Sequence, residues 1–355
     1  MNSTHRFPDC VRMSLIAWML AGLAPSGVAA EGPDAGSEEG TPFRALETTY
    51  ESGDLTIAAT LLVPVTKEKC PAAIIIQGSG PSSRKNHWAL MIGEHLARRG
   101  VVTLLPDKRG TGDSTGDWRT AGFEELAGDI VAAIASLEQR PEVDPGSIGV
   151  VGLSQGGFYA PLVANRSDRI SFVVTVSSSL LPFADTVNHE MRNTFRKEGL
   201  SGAELEQAMA VQYAAIEVAR GGKWQEYERV RREAMAAVPS DAIAGFPAEP
   251  DHWICAWAPK VVNWDPLVQW RAVSRPMFFA FGADDEEDNV PVQASLALIR
   301  KELEPGRNVT VRVYPDSGHA LWDPVRARRG EGVVRNDFIV DLASWIVARS
   351  SRAAD

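Results

Sequence analysis

Ser154 lies at the centre of the pentapeptide GLSQG, residues 152–156, a G-x-S-x-G pattern. An apolar run at 148–151 leads into it, and a helix-compatible run at 155–165 follows it. A serine on a sharp turn from strand to helix is held in a strained backbone, and small neighbours are needed to avoid clashes. The pattern predicts that Ser154 is a nucleophile, and a plain serine at a glycine-rich turn is the alternative.

A serine hydroxyl is a poor nucleophile at neutral pH and needs a base that a third group holds in place. His319 follows the last apolar run, 309–314, in the sequence PDSGHA. Asp284, Asp285 and Asp288 follow the run before it. The chain order serine, aspartate, histidine is the order that one large class of serine hydrolases uses. We therefore expect His319 to be the base and one of the three aspartates to orient it.

Acyl transfer at a serine also needs hydrogen-bond donors for the oxyanion. The backbone N–H of Gln155, directly after the serine, is expected to be one donor. The other is expected in the loop QGSGP at 77–81, where small residues let the backbone approach a substrate. The N–H of Ser79 is the predicted second donor, and a plain tight turn is the alternative for this loop.

The elements that position these residues alternate along the chain. Amphipathic stripes with spacings of three and four predict helices over 123–137, 292–303 and 338–346. Between them lie short apolar runs that suit strands buried on both faces of a parallel sheet. We predict an α/β fold with a doubly wound, mostly parallel, eight-stranded sheet and an antiparallel hairpin at its edge. The eight predicted strands are 43–50, 55–63, 72–76, 101–105, 148–151, 172–176, 277–281 and 309–314.

One stretch, 185–270, interrupts the alternation. Residues 201–238 predict two helices separated by Gly221-Gly222, and tryptophans follow at positions 253, 257, 264 and 270. We predict a helical lid over the carboxyl edge of the sheet, with scaffold helices as the alternative. A tryptophan-lined pocket there would favour apolar or aromatic substrates, unless these side chains pack only against the core. The acids Glu190, Glu198, Glu204 and Glu206 are predicted to lie on solvated helix faces.

Five segments in a fixed order resemble one known group of proteins: IIIQGSGPSSR, LLPDKRGTGDSTG, VGLSQGG, FGADDEEDNVP and PDSGHA. The chain is similar to bacterial esterase and aminopeptidase-like serine hydrolases of the α/β-hydrolase superfamily, near the dienelactone hydrolase and prolyl oligopeptidase branch. The resemblance implies a triad of Ser154, Asp285 and His319. It places the acid three positions after Gly282, with Asp288 as the alternative. In LLPDKRGTGDSTG, the residues Asp107, Lys108, Arg109, Gly110 and Ser114 are expected to shape the loop and brace the site, with direct catalysis as the alternative.

The chain divides into a leader, a linker and a core with an insertion. Arg6 and Arg12 precede an apolar stretch, and small residues at 28–30 offer a cleavage site, so residues 1–30 predict a signal peptide and a secreted or periplasmic protein. A short helix packed on the domain is the alternative. Acidic residues 31–42 predict a linker. The core is expected at 43–184 and 271–355, around the insertion at 185–270.

The charge and composition of the chain argue against several classes of function. The net charge of −10 argues against a nucleic-acid partner, and no apolar run reaches the ~20 residues of a membrane span. The histidines and three cysteines do not cluster, so no metal and no cofactor is expected; Cys70 and Cys255 either pair or stay free. The predicted function is hydrolysis of small to medium carboxylic esters. A thioesterase, an aminopeptidase-like amide hydrolase and a non-catalytic binding protein are the alternatives.

Overall fold

The computed structural model describes residues 41–239 and 241–350, so the predicted signal peptide and nearly all of the linker lie outside the described residues. Eight strands form one sheet in the order β1-β2-β4-β3-β5-β6-β7-β8. β2 runs antiparallel to both of its neighbours, and the other pairings are parallel. The predicted fold class is therefore confirmed, including the antiparallel hairpin at the edge. The strands are β1 Phe43–Ser52, β2 Leu55–Pro64, β3 Cys70–Ile76, β4 Val102–Pro106, β5 Val143–Leu153, β6 Ile170–Val176, β7 Met277–Gly282 and β8 Val309–Tyr314.

The central strands are apolar throughout because helices cover both faces of the sheet. Successive side chains of a strand point to opposite faces. Ile74 accordingly belongs to one apolar cluster and its neighbour Ile75 to the other. Helices α1 and α11 cover one face, and α2, α3, α8 and α9 cover the other. The helices outside the insertion are α1 His87–Arg98, α2 Phe123–Glu138, α3 Gly156–Arg166, α9 Val292–Leu298, α10 Pro324–Ala327 and α11 Asn336–Ser350.

Five helices and no strand lie between β6 and β7 in the described residues. The two predicted helices are present on either side of the glycine pair at 221–222, as α5 and α6. The five helices are α4 Phe183–Lys197, α5 Gly202–Ala219, α6 Trp224–Met235, α7 Trp253–Val261 and α8 Pro266–Ala272. Helices α4 to α6 and the chain that follows α6 share a buried apolar cluster of their own, which we call the insertion cluster. Its members include Met191, Phe195, Leu205, Tyr227 and Phe246.

The strand order changes direction beside β3. From β3 the chain moves to β4 on one side and then to β5 on the other. The loops after β3 and β5 therefore leave the sheet as neighbours and open a crevice at the carboxyl ends of the strands. Ligands of open α/β sheets bind at such a switch point. The predicted donor loop follows β3, and the predicted nucleophile follows β5, so the topology brings both to this crevice.

Candidate active site

Ser154 occupies the turn between β5 and α3 with a φ of 50°, in the left-handed region that side chains other than glycine rarely adopt. It is 6% exposed, and its N–H donates to the carbonyl of Val176 at 2.9 Å. Glycines make the turn possible. A Cβ at Gly152 would lie 2.7 Å from the carbonyl oxygen of Gly156, and one at Gly156 would lie 2.4 Å from the carbonyl oxygen of Ile76. The backbone thus presents the serine in the strained geometry that the motif predicts.

His319 connects the serine to a buried carboxylate. Its Nε2 lies 2.9 Å from Ser154 Oγ, and its Nδ1 lies 2.8 Å from Asp285 Oδ2. An ionised carboxylate only accepts hydrogen bonds, so Nδ1 carries the proton and Nε2 of the neutral ring accepts from the serine hydroxyl. The structure brings together the three side chains that the sequence singled out, in the order that proton transfer from a serine requires.

Asp285, not Asp288, contacts the histidine. Asp285 is 0% exposed and also accepts from the N–H of Asn289 at 3.2 Å. Asp288 forms an ion pair with Lys197 at 2.5 Å on the exposed surface. The loop after β7, which carries Asp285 and which we call the acid loop, touches the loop that carries His319. Gly282 allows this contact because it has no side chain: a Cβ there would lie 2.3 Å from the carbonyl oxygen of Gly318.

Charge around His319 favours its protonated form. Burial lowers the pKa of His319, but the charge of Asp285 and its hydrogen bond raise it. The negative charges of Glu190 and Asp288 add to the increase, and the net pKa lies above the ordinary value for histidine. An imidazolium at this position is therefore stabilised by its surroundings, which suits a group that must hold a proton during a reaction.

The loop after β3, residues 77–81, lies directly against the nucleophile. A Cβ at Gly78 would be in van der Waals contact with Ser154 Cβ, at 3.5 Å. The predicted donor residues are adjacent to the serine in two directions: Gln155 follows it in the chain and is 3% exposed, and Ser79 follows Gly78. No substrate is present to test whether their N–H groups meet an oxyanion, so this part of the site stays a prediction.

The loop after β4 holds the 77–81 loop in place, as the sequence suggested. Asp107, 1% exposed, accepts from the backbone N–H of Arg84 at 2.6 Å and pairs with its guanidinium. Thr111 Oγ1 donates to the carbonyl of Ser82 at 3.0 Å. Lys108, in the same loop, donates through its Nζ to the carbonyls of Gly78 and Gly80. It is 7% exposed, and desolvation lowers the pKa of Lys108 to about 7.

Helix α4 of the insertion packs on the acid loop. His189 Nε2 donates to the carbonyl of Glu286 at 2.8 Å, and Asn193 Nδ2 donates to the same carbonyl at 3.1 Å. Between them, Glu190 is 0% exposed, so the prediction that it lies on a solvated face was wrong. The sequence held a signal for this: Phe183, Val187 and Glu190 have the spacing i, i+4, i+7, which puts the acid on the buried stripe of the helix. The predictions for Glu198, Glu204 and Glu206 hold, since all three are exposed.

The insertion encloses an apolar cavity of about 100 Å³, which we call the insertion cavity. Its walls include aromatic rings from four parts of the insertion: Phe183, Trp224, Tyr227, Phe246 and Trp257. Gln212 and the free thiol of Cys255 also border it. A pocket with this lining accepts a small apolar group rather than a charged one.

The tryptophans of the insertion do not line a pocket together. Of the four at 253, 257, 264 and 270, only Trp257 borders the insertion cavity. Trp270 packs in the core against Phe279, and Trp264 Nε1 donates to the carbonyl of Phe158. The prediction of a pocket lined by all four was therefore wrong. Indoles carry enough apolar area to be used as core residues, and spacing alone does not distinguish the two uses.

Two further properties concern the part of the chain that the structure describes. It contains no group of three or more histidine, cysteine or acidic side chains arranged to hold a metal ion. None of its helices combines the length and the apolar character that crossing a membrane requires. Its two cysteines, Cys70 and Cys255, are both free thiols, which resolves the alternative that the sequence left open.

Comparison with known proteins identifies a matching family, several curated relatives and solved structures of similar fold. The family described as X-Pro dipeptidyl-peptidase (S15 family) matches residues 53–294. The quorum-quenching protein AidA of Acinetobacter baumannii is 28% identical over 151 residues, which cover 42% of this chain and 48% of that protein. Prolyl oligopeptidase A of Galerina marginata is 31% identical over 143 residues, 38% of this chain and 19% of that protein. The chain thus spans less than half the length of these two relatives.

Among solved structures, an esterase from Pyrococcus furiosus superposes with a TM-score of 0.54 at 17% identity, covering 88% of this chain and 91% of that one. At this level of identity the likeness concerns the fold.

Proposed function

The chain belongs to the S15 family of X-Pro dipeptidyl-peptidases, and we propose that it is a serine hydrolase that cleaves small to medium carboxylic esters through an acyl-enzyme on Ser154. The observation that supports this most directly is the continuous hydrogen-bonded chain from Ser154 through His319 to Asp285. A protein that only bound a ligand on this fold would need neither a base on the serine nor a buried acid behind the base.

The proposed reaction follows from the positions of the protons. His319 Nε2 takes the proton of Ser154 Oγ as that oxygen attacks the ester carbonyl. Asp285 stabilises the imidazolium, and the N–H groups of Ser79 and Gln155 stabilise the oxyanion. The C–O bond to the leaving alcohol then breaks, and His319 returns the proton to that alcohol. Water, activated by the same histidine, hydrolyses the acyl-enzyme.

The insertion cavity supports a preference for apolar acyl or alcohol groups. None of Ser154, Asp285 and His319 lines this cavity, but helix α4 takes part in both places: Phe183 and Val187 border the cavity, while His189 and Asn193 contact the acid loop. A cavity of about 100 Å³ compares with the ~150 Å³ apolar cavities that bind a single benzene ring. We propose that it holds one ring or a short alkyl chain.

Cleavage of peptide-like amides is the second candidate. The family match itself favours it. Glu190 also supports it, because a buried carboxylate whose charge acts on His319 would attract a cationic group of a substrate. We rank it below the esterase because the insertion cavity is almost entirely apolar.

The test combines covalent labelling with a substrate panel. A fluorophosphonate should label the wild type and not Ser154→Ala, and Ser154→Ala should lose about four to six orders of magnitude in kcat. The panel sets p-nitrophenyl esters of rising chain length beside aminoacyl-p-nitroanilides and acyl-CoA. Higher kcat/KM for the anilides than for every ester would replace the esterase by the peptidase, and a preference for acyl-CoA would indicate a thioesterase. If the wild type is neither labelled nor active, the non-catalytic binding protein is the alternative that remains.

The substrate pocket has its own test. Ala215 on α5 borders the insertion cavity, whereas Ala210 on the same helix is exposed. Ala215→Leu should shift the preferred acyl chain to shorter lengths, because the added carbons occupy the cavity. Ala210→Leu should leave the chain-length profile unchanged. Identical profiles for both variants would remove the cavity from the substrate site.

A further inference from the structure

Lys108 is a buried lysine next to the proposed catalytic serine, and it carries a positive charge below its lowered pKa of about 7. It follows β4 and Asp107, and it is 7% exposed. Its Nζ donates to the carbonyl oxygens of Gly78 at 2.5 Å and of Gly80 at 2.9 Å, and it lies 3.5 Å from Gln155 Oε1. An ammonium held out of water is costly unless it is hydrogen-bonded, and here backbone carbonyls of a single loop supply the bonds.

These contacts fall on the peptide unit that carries a proposed oxyanion donor. The carbonyl of Gly78 and the N–H of Ser79 belong to the same planar peptide. In a trans peptide the C=O and the N–H point in opposite directions, and the described residues contain no cis peptide. A lysine that fixes the direction of the Gly78 carbonyl therefore also fixes the direction of the Ser79 N–H, on the opposite side of the plane.

The same contact strengthens the donor. A carbonyl that accepts a charge-assisted hydrogen bond draws electron density across its peptide, and this makes the N–H of that peptide more acidic and a better donor. The second bond, to the carbonyl of Gly80, restrains the loop after Ser79. Rotation about the backbone of Ser79 and Gly80, which lies between the two carbonyls, is therefore restricted. Gly78 itself lies against Ser154, which keeps the oriented peptide within reach of the reacting carbonyl.

We propose that Lys108 is a positioning residue: its ammonium orients and polarises the Gly78–Ser79 peptide so that the Ser79 N–H donates to the oxyanion formed at Ser154. The inference rests on the proposed hydrolase function. Lys108 touches neither substrate nor serine and acts through the peptide. Its effect is therefore confined to the transition state, in which the oxyanion exists, and does not extend to ground-state binding.

The experiment compares Lys108→Met with two matched variants. Loss of a whole oxyanion donor costs about 10²–10³ in kcat, so misaligning one donor in Lys108→Met should lower kcat about ten- to a hundredfold and leave KM nearly unchanged. Lys85→Met removes an exposed lysine of the neighbouring loop, and Thr115→Val removes side-chain hydrogen bonds between the loop after β4 and Thr56 that reach neither Lys108 nor the Ser79 peptide. Both should keep kcat within about threefold of the wild type.

A second readout separates positioning from a loss of structure. A trifluoromethyl ketone adds to the serine and forms the oxyanion, so its Ki should rise in Lys108→Met by the factor by which kcat/KM falls. Ki and KM do not depend on the fraction of enzyme that is folded. Lys108→Gln, which keeps a polar side chain, serves as the second variant if Lys108→Met does not fold, and the same rise in Ki is expected.

The outcomes distinguish the inference from its premise. An active wild type with unchanged kcat and Ki in both lysine variants would overturn the positioning role and leave the hydrolase intact. An equal rise of Ki in Thr115→Val would assign Lys108 to general bracing and would also overturn the proposal. A wild type that is neither labelled by a fluorophosphonate nor active on any ester would overturn the proposed function, and the role of Lys108 with it.

Discussion

The two aspartates Asp285 and Asp288 of the acid loop differ in their exposure to water. Asp285 is 0% exposed, and its Oδ2 accepts from the imidazole of His319. Asp288, three residues further on, lies at the surface in an ion pair with Lys197. An exposed pair of this kind contributes little energy and orients nothing in the site, whereas a buried carboxylate holds the tautomer that the reaction needs.

We therefore expect opposite results from two amide substitutions. Asp285→Asn should lower kcat about 10⁴-fold, because the amide can donate to Nδ1 and so favours the wrong tautomer of His319. Asp288→Asn should stay within a few-fold of the wild type. Pre-steady-state acylation with a p-nitrophenyl ester measures both, and the reverse ranking would transfer the role to Asp288.

Glu190 contributes to the pKa of His319 and so to the pH at which this histidine becomes a base. The pKa of His319 is raised, burial opposing the increase and Asp285, Glu190 and Asp288 producing it. The neutral imidazole is the active form, so activity rises with pH through this pKa. Removing a negative charge lowers the pKa, and Glu190→Gln should move the acidic limb of the kcat/KM profile to lower pH. Glu206→Gln, which removes an exposed acid paired with Arg192, is the control and should not move it.

The sequence could predict the role of a residue when the segments next to it in the chain determine that role. Ser154 and Asp285 each follow a buried strand, and His319 follows the last strand. Because β5, β7 and β8 run in the same direction, all three residues lie at the carboxyl edge of the sheet. Lys108 and Glu190 acquire their roles from distant partners. The carbonyls that Lys108 contacts lie 28 and 30 residues away, and Glu190 is covered by the fold around α4. No local pattern contains such contacts, although the buried stripe of α4 gave a partial signal.

At the scale of elements, apolar periodicity located the sheet well and failed where polar or small residues enter an element. β5 begins at Val143, not at 148, because Asp144-Pro145-Gly146 reads as a turn yet continues the strand up to a bulge. α1 was not predicted: Gly93 and two alanines face the sheet, which leaves only a weak apolar stripe. The helix predicted over 292–303 changes to a π-helical turn after Leu298.

The turn between β5 and α3, which carries Ser154, depends on backbone contacts that leave no room for a methyl group. A Cβ at Gly156 would lie 2.4 Å from the carbonyl oxygen of Ile76, which is part of β3 and cannot move aside. Gly156→Ala should therefore lower the free energy of unfolding by about 1–3 kcal/mol and impair catalysis. Gly128→Ala in α2 is the matched control, since a Cβ there meets nothing within 4 Å. It should raise stability by about 0.5–1 kcal/mol. Urea denaturation measures both, and equal effects would contradict the packing argument.

At the scale of the whole molecule, we propose that the protein is exported, from the composition of residues 1–30. Cleavage after Ala30 would leave a mature chain that begins near Glu31, ten residues before the described part of the structure. N-terminal sequencing of the protein from its native host measures this directly. An intact Met1 or Asn2 on soluble cytoplasmic protein would rule out export by this route.

The insertion cluster has a consequence for local unfolding of the molecule. Met191, Phe195 and Leu205 pack with one another and belong to neither apolar cluster of the sheet. An element with its own core can open as a cooperative unit while the rest stays folded. Amide protons of α5 and α6 should then exchange with deuterium together, and sooner than those of β5 and β6. Helix α4 carries part of this cluster and also contacts the acid loop through His189 and Asn193, so an opening that included α4 would release those contacts and its exchange would report on the stability of the acid loop.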